Sequence, residues 1–332
     1  MRNNSEVTKL DLKETQMAIK SLKDYFQRDL ANSLNLARIS APLMVRPETG
    51  LNDNLSGFEK AVSFDIRNYD INVEIVQSLA KWKRNALKEY GFKCYEGIYA
   101  DMNALRPDEE LDKIHSIYVD QWDWEKIIKK EDRNEYFLRS VVKEIFEVFK
   151  RAEEYINQLY PLVFEKKLPD EIYFIKSQEL EDMYPNLTGK EREREICREK
   201  KAVFIIGIGN KLKSGEPHDL RSPDYDDWSL NGDILFWNPV IEDSFELSSM
   251  GIRVDEKSLK NQLEESNKTE RMSMDYHKNI INKKLPYTIG GGIGQSRLCM
   301  FFLEKRHIGE VQASVWTPEI IDECKKQNII LL

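Results

Sequence analysis

The stretch GGGIGQSR at residues 290–297 decides how the rest of the chain is interpreted. The segment before it (285–289) predicts a short strand, and apolar residues after it (298–302) recur at helical spacing. Glycines leave the surface of a strand bare, so a flat ligand can lie against the backbone. Arg297 falls in the first helical turn, where an arginine can fork onto a phosphate. The stretch therefore predicts a nucleoside triphosphate site on an open sheet. The simpler alternative is a flexible glycine turn with a surface arginine.

The common nucleotide-binding motifs do not account for this stretch. The pattern G-x-G-x-x-G fails because its sixth position is Arg297, and G-x-x-x-x-G-K-[ST] occurs nowhere in the chain. A nucleotide site here therefore needs support from other parts of the sequence.

Length and composition limit the possible functions. A chain of 332 residues with 41% hydrophobic residues can bury one large core, and no repeat or linker divides it, so we expect a single domain over residues 1–332. The net charge of −8 disfavours a nucleic-acid partner, which usually meets a basic face. Four widely spaced cysteines, a polar N-terminus and no long apolar run predict a cytoplasmic protein without disulfides, zinc or a membrane span.

The first part of the chain predicts a helix, an edge strand and a polar loop. Residues 11–35 carry an apolar stripe at helical spacing. Residues 37–45 predict a strand that Pro42 interrupts, and because proline cannot donate a ladder hydrogen bond, this strand belongs at an edge or an interface. The following loop is rich in Gly, Asn, Asp and Ser. By residue type alone, its Asp53 is a turn former.

A second helix begins with an unusual group of cations. Strands are predicted at 61–66 and 71–77, and Ser78 has the side chain of a helix N-cap. The first turns of this helix hold three cations, Lys81, Lys83 and Arg84. Because cations are disfavoured at the positive end of a helix, a functional role competes here with an ordinary solvated face.

Residues 99–125 predict a β-hairpin with a long acidic loop. Alternation along its second strand places Gln121 and Asp123 side by side on one face, at one end of the strand. Arg106 ends the partner strand, so we expect a polar pocket across the hairpin. An exposed strand edge is the simpler alternative.

The later elements include a long amphipathic helix at 134–160 and two strands that flank a charged helix at 188–200, for which we expect a solvated face. A second hairpin is predicted at 231–255. In the loop 218–228, four aspartates and Arg221 fit a metal site, a cation pocket or a soluble loop.

Two carboxylates in the second hairpin suggest a metal ion. Asp233 and Glu246 face an otherwise apolar pair of strands, where a carboxylate is costly unless it binds a cation or a partner. Mg²⁺ is the natural candidate, because it prefers one or two carboxylates together with phosphate oxygens and water.

Three of these signals resemble, in order, the three motifs of the class II aminoacyl-tRNA synthetases. Pro42 resembles the end of motif 1, Arg106-x-x-Glu109 resembles motif 2, and residues 290–297 resemble motif 3, G-x-G-x-G-x-x-R. The resemblance implies an α+β fold with a mostly antiparallel sheet flanked by helices, and a dimer interface at Pro42. It also implies that Arg297 holds the far phosphates of ATP, whereas Arg106 binds the α-phosphate and the carboxylate being activated.

A closer resemblance spans residues 42–298, nearly the whole chain. The chain resembles the ammonia-dependent asparagine synthetases, the aspartate–ammonia ligase family, in the stretches DNLSGFEKAV, QSLAKWKR, ALRPDE, HSIYVDQWDWE, PDYDDW, LNGDI, FELSSMGIRVD and TIGGGIGQSRL. This resemblance implies that L-aspartate, ATP and ammonia give L-asparagine, AMP and diphosphate through a β-aspartyl-adenylate. The connection from Asp233 to Glu246 is longer than in the tRNA enzymes, so their metal geometry does not transfer directly.

The resemblance also implies the site residues. Because the β-carboxylate is activated, we expect aspartate to lie reversed relative to aspartyl-tRNA synthetase, with its α-carboxylate on Lys83 and Arg253. Asp123 and Asp226 are the candidates for its α-ammonium, and Gln121 for the reacting carboxylate. The other expected ligands are Ser78 for the amino acid, Arg106, Glu109, Asp233, Glu246, Ser249 and Arg297 for ATP, and Asp233 and Glu246 for Mg²⁺.

The ammonia step needs a residue of its own. Ammonia is almost wholly ammonium at neutral pH, so the enzyme must hold a small cation and remove a proton, and a carboxylate does both. Asp53, in the DNLSG stretch, is the candidate, and it joins Arg106, Gln121 and Arg297 in the expected catalytic set. We expect its loop to close over the adenylate and exclude water. Two alternatives stay open: a paralogue that transfers its adenylate to tRNA or a protein amine, and an inactive regulatory binder.

Overall fold

The structure is a computed structural model, and it describes residues 9–53, 55 and 59–332. In that part of the chain the strands are β1 (Leu36–Arg38), β2 (Met44–Val45), β3 (Ser63–Ile66), β4 (Ile71–Ile75), β5 (Gly97–Leu105), β6 (Tyr118–Ile127), β7 (Tyr173–Lys176), β8 (Ala202–Ile206), β9 (Asp226–Asn238), β10 (Asp243–Arg253) and β11 (Thr288–Gly294).

These strands form a large mixed sheet and a small antiparallel one. The large sheet has the order β1-β5-β6-β11-β10-β9-β8-β7, and its outermost pairs, β1–β5 and β7–β8, are parallel. The pairs between them are antiparallel. The small sheet has the order β2-β4-β3. The prediction of a mostly antiparallel sheet is confirmed.

Helices flank the large sheet. Over the described residues they are α1 (Leu12–Leu34), α2 (Ala80–Glu89), α3 (Glu135–Leu159), α4 (Ser177–Met183), α5 (Gly189–Lys200), α6 (Glu256–Glu265), α7 (Asp275–Ile281), α8 (Gln295–Phe302) and α9 (Pro318–Lys326). The helices predicted at 11–35, 134–160, 188–200 and after residue 294 are therefore present. Within the described ranges, no helix combines the length and the apolar character that a membrane span requires.

The two faces of the sheet carry different layers, because side chains alternate along a strand. On one face, Trp122, Trp124 and Phe204 pack with α1, α3 and α8 in the main apolar core. On the other face, Val203 packs with α4 and α5, whereas Ala100 packs near the start of α2. A cavity lies on this second face, with walls that include residues of α2 and α5.

The strand predicted at 37–45 is two strands in different sheets. β1 pairs with β5, and β2 pairs with β4. The ladder of the large sheet continues one residue beyond β1, where the Ile39 amide donates to the Tyr99 carbonyl, before Pro42 interrupts the chain. Both strands lie at the edge of their sheet, as the proline predicts.

The start of α2 also differs from the prediction. The N-cap position belongs to Leu79, and the Ser78 hydroxyl accepts a hydrogen bond from the Ala80 amide at 3.1 Å instead of capping the helix. The cations that follow lie in the protein rather than on a solvated face, since Lys83 and Arg84 are each only 1% exposed.

The charged helix α5 is solvated on one side only. Arg192 is buried, donates to the Tyr184 carbonyl at 3.1 Å and pairs with Glu181. Glu193 is buried as well and contacts the His218 ring at 3.1 Å. The prediction of a solvated face missed these residues because their partners come from α4 and a distant loop, and α4 itself was not predicted.

Candidate active site

The cavity has a volume of about 510 Å³ and lies over the middle of the large sheet. It brings together every site residue predicted from the sequence except Asp233. Those on its wall are Asp53, Ser78, Lys83, Arg106, Glu109, Gln121, Asp123, Asp226, Glu246, Ser249, Arg253 and Arg297. They come from seven separate segments of the chain, so the fold, not sequence proximity, gathers them.

The floor of the cavity is the glycine-rich strand β11, flanked by β6 and β10. A Cβ atom on Gly292 would lie 2.4 Å from Gln121 Oε1, and one on Gly290 would lie 2.2 Å from Glu125 Oε2. A side chain at Gly290 would also meet the Trp124 carbonyl oxygen at 2.7 Å, and one at Gly292 would displace the Gln121 side chain. Gln121 and Asp123 point to this floor from the middle of β6, not from its end as predicted, because β6 runs on to Ile127.

Lys83 lies on the cavity wall, and its side chain is 1% exposed. Its ammonium donates to Asp123 Oδ2 (3.1 Å), to the Trp124 carbonyl (3.1 Å) and to the Gly291 carbonyl (3.2 Å). Burial lowers the pKa of Lys83, against the opposing effect of Asp123. All three N–H donors are engaged, so a substrate carboxylate can bind here only by replacing one of these contacts.

Arg253 is buried beside Lys83 between two carboxylates. It contacts Glu125 Oε2 at 2.8 Å through Nη2, and a second nitrogen, Nη1, donates to Asp226. Burial disfavours the guanidinium charge, but Asp226 and Glu125 more than offset this and hold the pKa of Arg253 above its ordinary value. The arrangement is a neutralised cluster rather than a free cation.

Several polar atoms at this end have no hydrogen-bond partner within the described ranges. One is Asp123 Oδ1, on the carboxylate that accepts from Lys83 through its other oxygen. The others are both amide atoms of Gln77, a residue that is 1% exposed and lies on the cavity wall. Buried polar atoms are nearly always hydrogen-bonded, so these atoms mark places where a substrate can donate or accept.

The opposite end of the cavity holds two less buried arginines. Arg297, in the first turn of α8, donates to the Glu246 carbonyl at 3.1 Å, and its Nη1 lies 3.7 Å from the Glu246 carboxylate. Arg106 follows the end of β5 and lies 3.8 Å from Glu109. Its Nε has no partner in the described residues. Both arginines thus retain donors that an anion can use.

Asp233 and Glu246 fit a magnesium ion only in part. Glu246 lies on the cavity wall, but Asp233 is 2% exposed, lies behind the wall and pairs with Arg221 through Oδ2. Asp233 Oδ1 has no partner in the described chain. Burial raises the pKa of Asp233 to about 6, with Arg221 opposing the rise and Glu246 adding to it. No group of three or more His, Cys, Asp or Glu residues among those described could hold a metal, but Mg²⁺ bound through phosphates needs only one or two carboxylates.

Asp53 is buried at 2% exposure on the cavity wall. Neither carboxylate oxygen has a hydrogen-bond partner in the described part of the chain. Burial raises the pKa of Asp53 to about 6, against the opposing charge of Lys81. An unpaired buried carboxylate is costly, which makes Asp53 a candidate functional residue.

The backbone at Asp53 is fixed by its neighbour Asn52. The Asn52 amide nitrogen donates to the Ile75 carbonyl at 3.1 Å, and its oxygen accepts from the Gln77 and Asp53 amides at 2.9 and 3.0 Å. Residues 54 and 56–58, part of the loop predicted to close over the adenylate, lie outside the described residues. The prediction of a lid is therefore untested.

Sequence reasoning missed several residues of this site. Glu125 partners Arg253, Asn52 holds Asp53, and Gln77 presents an unpaired amide. Period-two alternation beyond Asp123 could have placed Glu125 on the cavity face. The cations of α2 were noticed, but the buried partner of Lys81, Asp224, lies far along the chain, and no local pattern links the two.

Comparison with solved structures defines the class of protein. The chain is similar to the asparaginyl-tRNA synthetase of Pyrococcus horikoshii in complex with asparaginyl-adenylate, with a TM-score of 0.65 at 16% identity, over 90% of this chain and 68% of that one. It is also similar to the asparaginyl-tRNA synthetase of Entamoeba histolytica, with a TM-score of 0.62 at 14% identity, over 91% and 67% of the two chains. The protein has the class II aminoacyl-tRNA synthetase fold, as expected from the three motifs.

Comparison of sequences defines the family. The family model described as aspartate–ammonia ligase matches residues 13–328. The aspartate–ammonia ligase of Clostridium tetani is 62% identical over 326 residues, which cover 98% of this chain and 95% of that protein. That of Fusobacterium nucleatum is 60% identical over 98% of this chain and 99% of its own length. The chain belongs to the aspartate–ammonia ligase family.

Proposed function

We propose that this protein is an ATP-dependent aspartate–ammonia ligase, which makes L-asparagine and releases AMP and diphosphate. The proposal has the support of relatives with that name at 62% and 60% identity. The structural observation that carries it is a single cavity that holds a buried cation pair, two open arginines and an unpaired carboxylate. These are the groups that the three substrates require.

In the first step, the β-carboxylate of aspartate attacks the α-phosphorus of ATP, and diphosphate leaves. We place the α-carboxylate on Lys83 and Arg253 and the α-ammonium on Asp123 Oδ1 and Asp226. The partnerless Oδ1 of Asp123 supports this orientation. Gln121 then donates to the reacting carboxylate, while Ser78 and the missed residue Gln77 are further contacts for the amino acid.

We assign the arginine end of the cavity to the nucleotide. Arg106 binds the α-phosphate and the β-carboxylate together and reduces the repulsion between two anions that must approach each other. Arg297 binds the far phosphates, and Glu109 and Ser249 lie on the wall beside them. The donors that Arg106 and Arg297 leave open support this assignment.

A magnesium ion would be held by Glu246, with Asp233 as the second carboxylate. Such an ion would neutralise charge on the phosphates during the displacement. Asp233 lies behind the cavity wall, so it must give up part of its contact with Arg221 to bind such an ion. Glu246 is therefore the stronger of the two predicted ligands.

In the second step, we assign Asp53 to the nucleophile. Its carboxylate holds ammonium and accepts one proton, and ammonia then attacks the β-carbonyl carbon. The carbon–oxygen bond to AMP breaks with its electron pair on the phosphate oxygen, and the second proton of the new amide passes to solvent. The partnerless, buried carboxylate supports this role, because a small cation with several N–H donors would satisfy both of its oxygens.

We further propose, from the sequence, that the chain is one catalytic domain that acts as a cytoplasmic homodimer, with the edge near Pro42 at the two-fold interface. The position of β1 and β2 at sheet edges is compatible with such an interface.

The test is release of AMP and formation of asparagine from purified protein, ATP, Mg²⁺ and L-aspartate. We expect AMP and asparagine in equal amounts with ammonium, and little of either with glutamine or with tRNA alone. Aspartate-dependent AMP release that requires tRNA or a protein amine, and not ammonium, would contradict the proposal in favour of a transferase paralogue.

A further inference from the structure

Two buried carboxylates, Asp53 and Asp224, lie near each other beside the cavity, and they differ in the contacts that they make. Asp224 is fully buried, and Asp53 is 2% exposed. Each lies within electrostatic reach of Lys81 and Arg271, and the charge of Asp224 contributes to the raised pKa of Asp53. The two carboxylates therefore compete for the same cations.

The side chains of Lys81, Arg271, His277 and Ser222 all contact Asp224. Its Oδ2 accepts from Arg271 Nη1 at 2.8 Å and Lys81 Nζ at 3.3 Å, and contacts His277 Nε2 at 3.0 Å. Its Oδ1 accepts from the Ser222 hydroxyl at 2.9 Å. These partners come from α2, from α7, from the loop before β9 and from the short helix Thr269–Ser273.

Asp53 receives none of these contacts. Neither of its oxygens has a hydrogen-bond partner in the described chain, although Lys81, Arg271 and Ser222 all act on its charge. The titratable and charged groups that face it are Lys81 from α2, Asp224 and Tyr225 from the loop before β9, and Lys268 and Arg271 from the segment between α6 and α7. Of the cations nearby, Lys81 and Arg271 are thus already paired with Asp224.

We propose that Asp224 is a positioning residue that draws Lys81 and Arg271 away from Asp53 and so keeps the Asp53 carboxylate open for ammonium. This inference rests on the proposed role of Asp53 in the ammonia step. The head group of lysine carries the same charge and the same N–H donors as an ammonium ion. Lys81 is therefore a direct competitor for the site unless another anion holds it.

Burial makes Lys81 the critical cation of the cluster. The side chain of Lys81 is 4% exposed, whereas that of Arg271 is 12% exposed. A buried lysine that loses its partner must find another anion or lose its charge, because burial without a partner disfavours the charged form. Asp53 is an anion on which Lys81 already acts. Without the Asp224 charge, Lys81 is expected to pair with Asp53 and to occupy the ammonium position.

The first experiment uses Asp224→Asn in the full chain, with Asp224→Glu as the matched control that keeps the charge. Two activities are measured: aspartate-dependent ATP–diphosphate exchange without ammonium, and asparagine formation as a function of ammonium concentration. For Asp224→Asn we expect exchange within about twofold of the wild type and a KM for ammonium raised at least about tenfold. Asp224→Glu should stay close to the wild type in both.

The double variant Lys81→Met/Asp224→Asn separates competition from a structural role. Removing the intruding cation should bring the KM for ammonium most of the way back to the wild-type value. A residue that merely supports the fold would not be rescued by losing a second buried group. An unchanged KM in Asp224→Asn, or no rescue in the double variant, overturns the inference.

Two further outcomes keep the test decisive. If Asp224→Asn does not fold, Lys81→Met alone carries the test: its KM for ammonium should be unchanged or lower, and a rise shows that Lys81 helps to bind ammonium rather than competing with it. If the wild type itself makes no asparagine from ammonium, the proposed function fails, which is distinct from failure of the inference about Asp224.

Discussion

The two ends of the cavity bind charge in different ways. At the end proposed for the amino acid, Lys83 and Arg253 have side chains that are 1% and 2% exposed, and each is paired with buried carboxylates. At the end proposed for the nucleotide, Arg106 and Arg297 have side chains that are 24% and 23% exposed, and the carboxylates they pair with lie 3.8 and 3.7 Å away. The charges of the first end are already paired without a substrate. The arginines of the second end keep N–H donors that an anion can use.

This difference separates stability from binding. A buried pair that loses one partner leaves an uncompensated charge, so it should be costly to the fold. A partly exposed arginine whose carboxylate partner is almost 4 Å away contributes little to the fold, so its loss should appear almost entirely in function. Substitutions at the two ends should therefore differ in kind.

Arg253→Leu should have the largest effect, on both stability and activity. Removing the guanidinium leaves Glu125 and Asp226 buried without their counter-charge, which should lower the free energy of unfolding by about 3–5 kcal/mol. In the folded fraction, kcat/KM for aspartate should fall about 10³-fold, while the KM for ATP changes far less. Chemical denaturation and steady-state kinetics check the two parts. Equal losses for aspartate and ATP would remove Arg253 from the amino-acid end.

Lys83→Met and a substrate analogue test the same end of the cavity, and neither leaves two buried carboxylates without a counter-charge. Lys83→Met should likewise impair the use of aspartate more than ATP binding. An aspartate analogue with an α-carboxamide should be a poor substrate for the wild type, because it lacks the charge assigned to Lys83 and Arg253. Adenylation of that analogue as fast as aspartate would show that the reversed orientation is wrong.

Arg297→Ala should lower turnover by about 10²–10³-fold, as the loss of one electrostatic stabiliser does. Its pair with Glu246 is partly exposed, so the free energy of unfolding should change by less than about 1 kcal/mol. Turnover and a denaturation curve for the same preparation give both values. A near-normal rate would place the far phosphates elsewhere, and a large loss of stability would erase the contrast between the two ends.

Glu246→Gln should have a smaller effect, confined to the dependence of activity on Mg²⁺ concentration. The substitution keeps the shape of the side chain and removes its charge. The Mg²⁺ concentration for half-maximal activity should rise about tenfold, the usual loss for one charge-assisted contact. The measurement is an Mg²⁺ titration at fixed ATP, with Asp233→Asn as the comparison. An unchanged titration for Glu246→Gln would mean that this carboxylate is structural.

The smallest predicted effect is on pH dependence. Burial raises the pKa of Asp53 to about 6, so its carboxylate is an effective base above that pH and loses this role as the pH falls through about 6. Asparagine formation at saturating ammonium should fall about twofold by pH 6 and more steeply below it, and this fall should exceed any fall in ATP–diphosphate exchange, to which Asp233, with its pKa also raised to about 6, would contribute. In Asp53→Asn, the two activities should have the same pH dependence; an extra fall in asparagine formation that persists in this variant would belong to another group.

The sequence predicted the strand framework better than the electrostatics. The alternation of Gln121 and Asp123 against Trp122 and Trp124 placed the correct residues over the cavity, because a strand has only two faces. The glycines of β11 likewise predicted the bare floor. Both signals are local, so neither needed knowledge of the packing.

The missed features depend on packing between distant segments. Asp53 and Asp224 lie far apart in the sequence, and nothing in either segment shows that one accepts four contacts while the other accepts none. Asp233 alternates as the sequence predicted, but Arg221 from a separate loop covers one of its oxygens. Such features follow from tertiary structure. The expected roles of Asp53, Lys83 and Arg253 came from the family resemblance, because residue spacing alone does not indicate them.

The central claim is that one cavity carries two steps, with Asp53 serving only the second. Its most direct test compares Asp53→Ala with the wild type in aspartate-dependent ATP–diphosphate exchange and in asparagine formation from ammonium. We predict that exchange is retained, while asparagine formation falls by about 10²–10⁴-fold, the usual contribution of a positioned base. If both activities fall together, Asp53 serves adenylation or the loop; if neither falls, it is a turn aspartate and the claim is wrong.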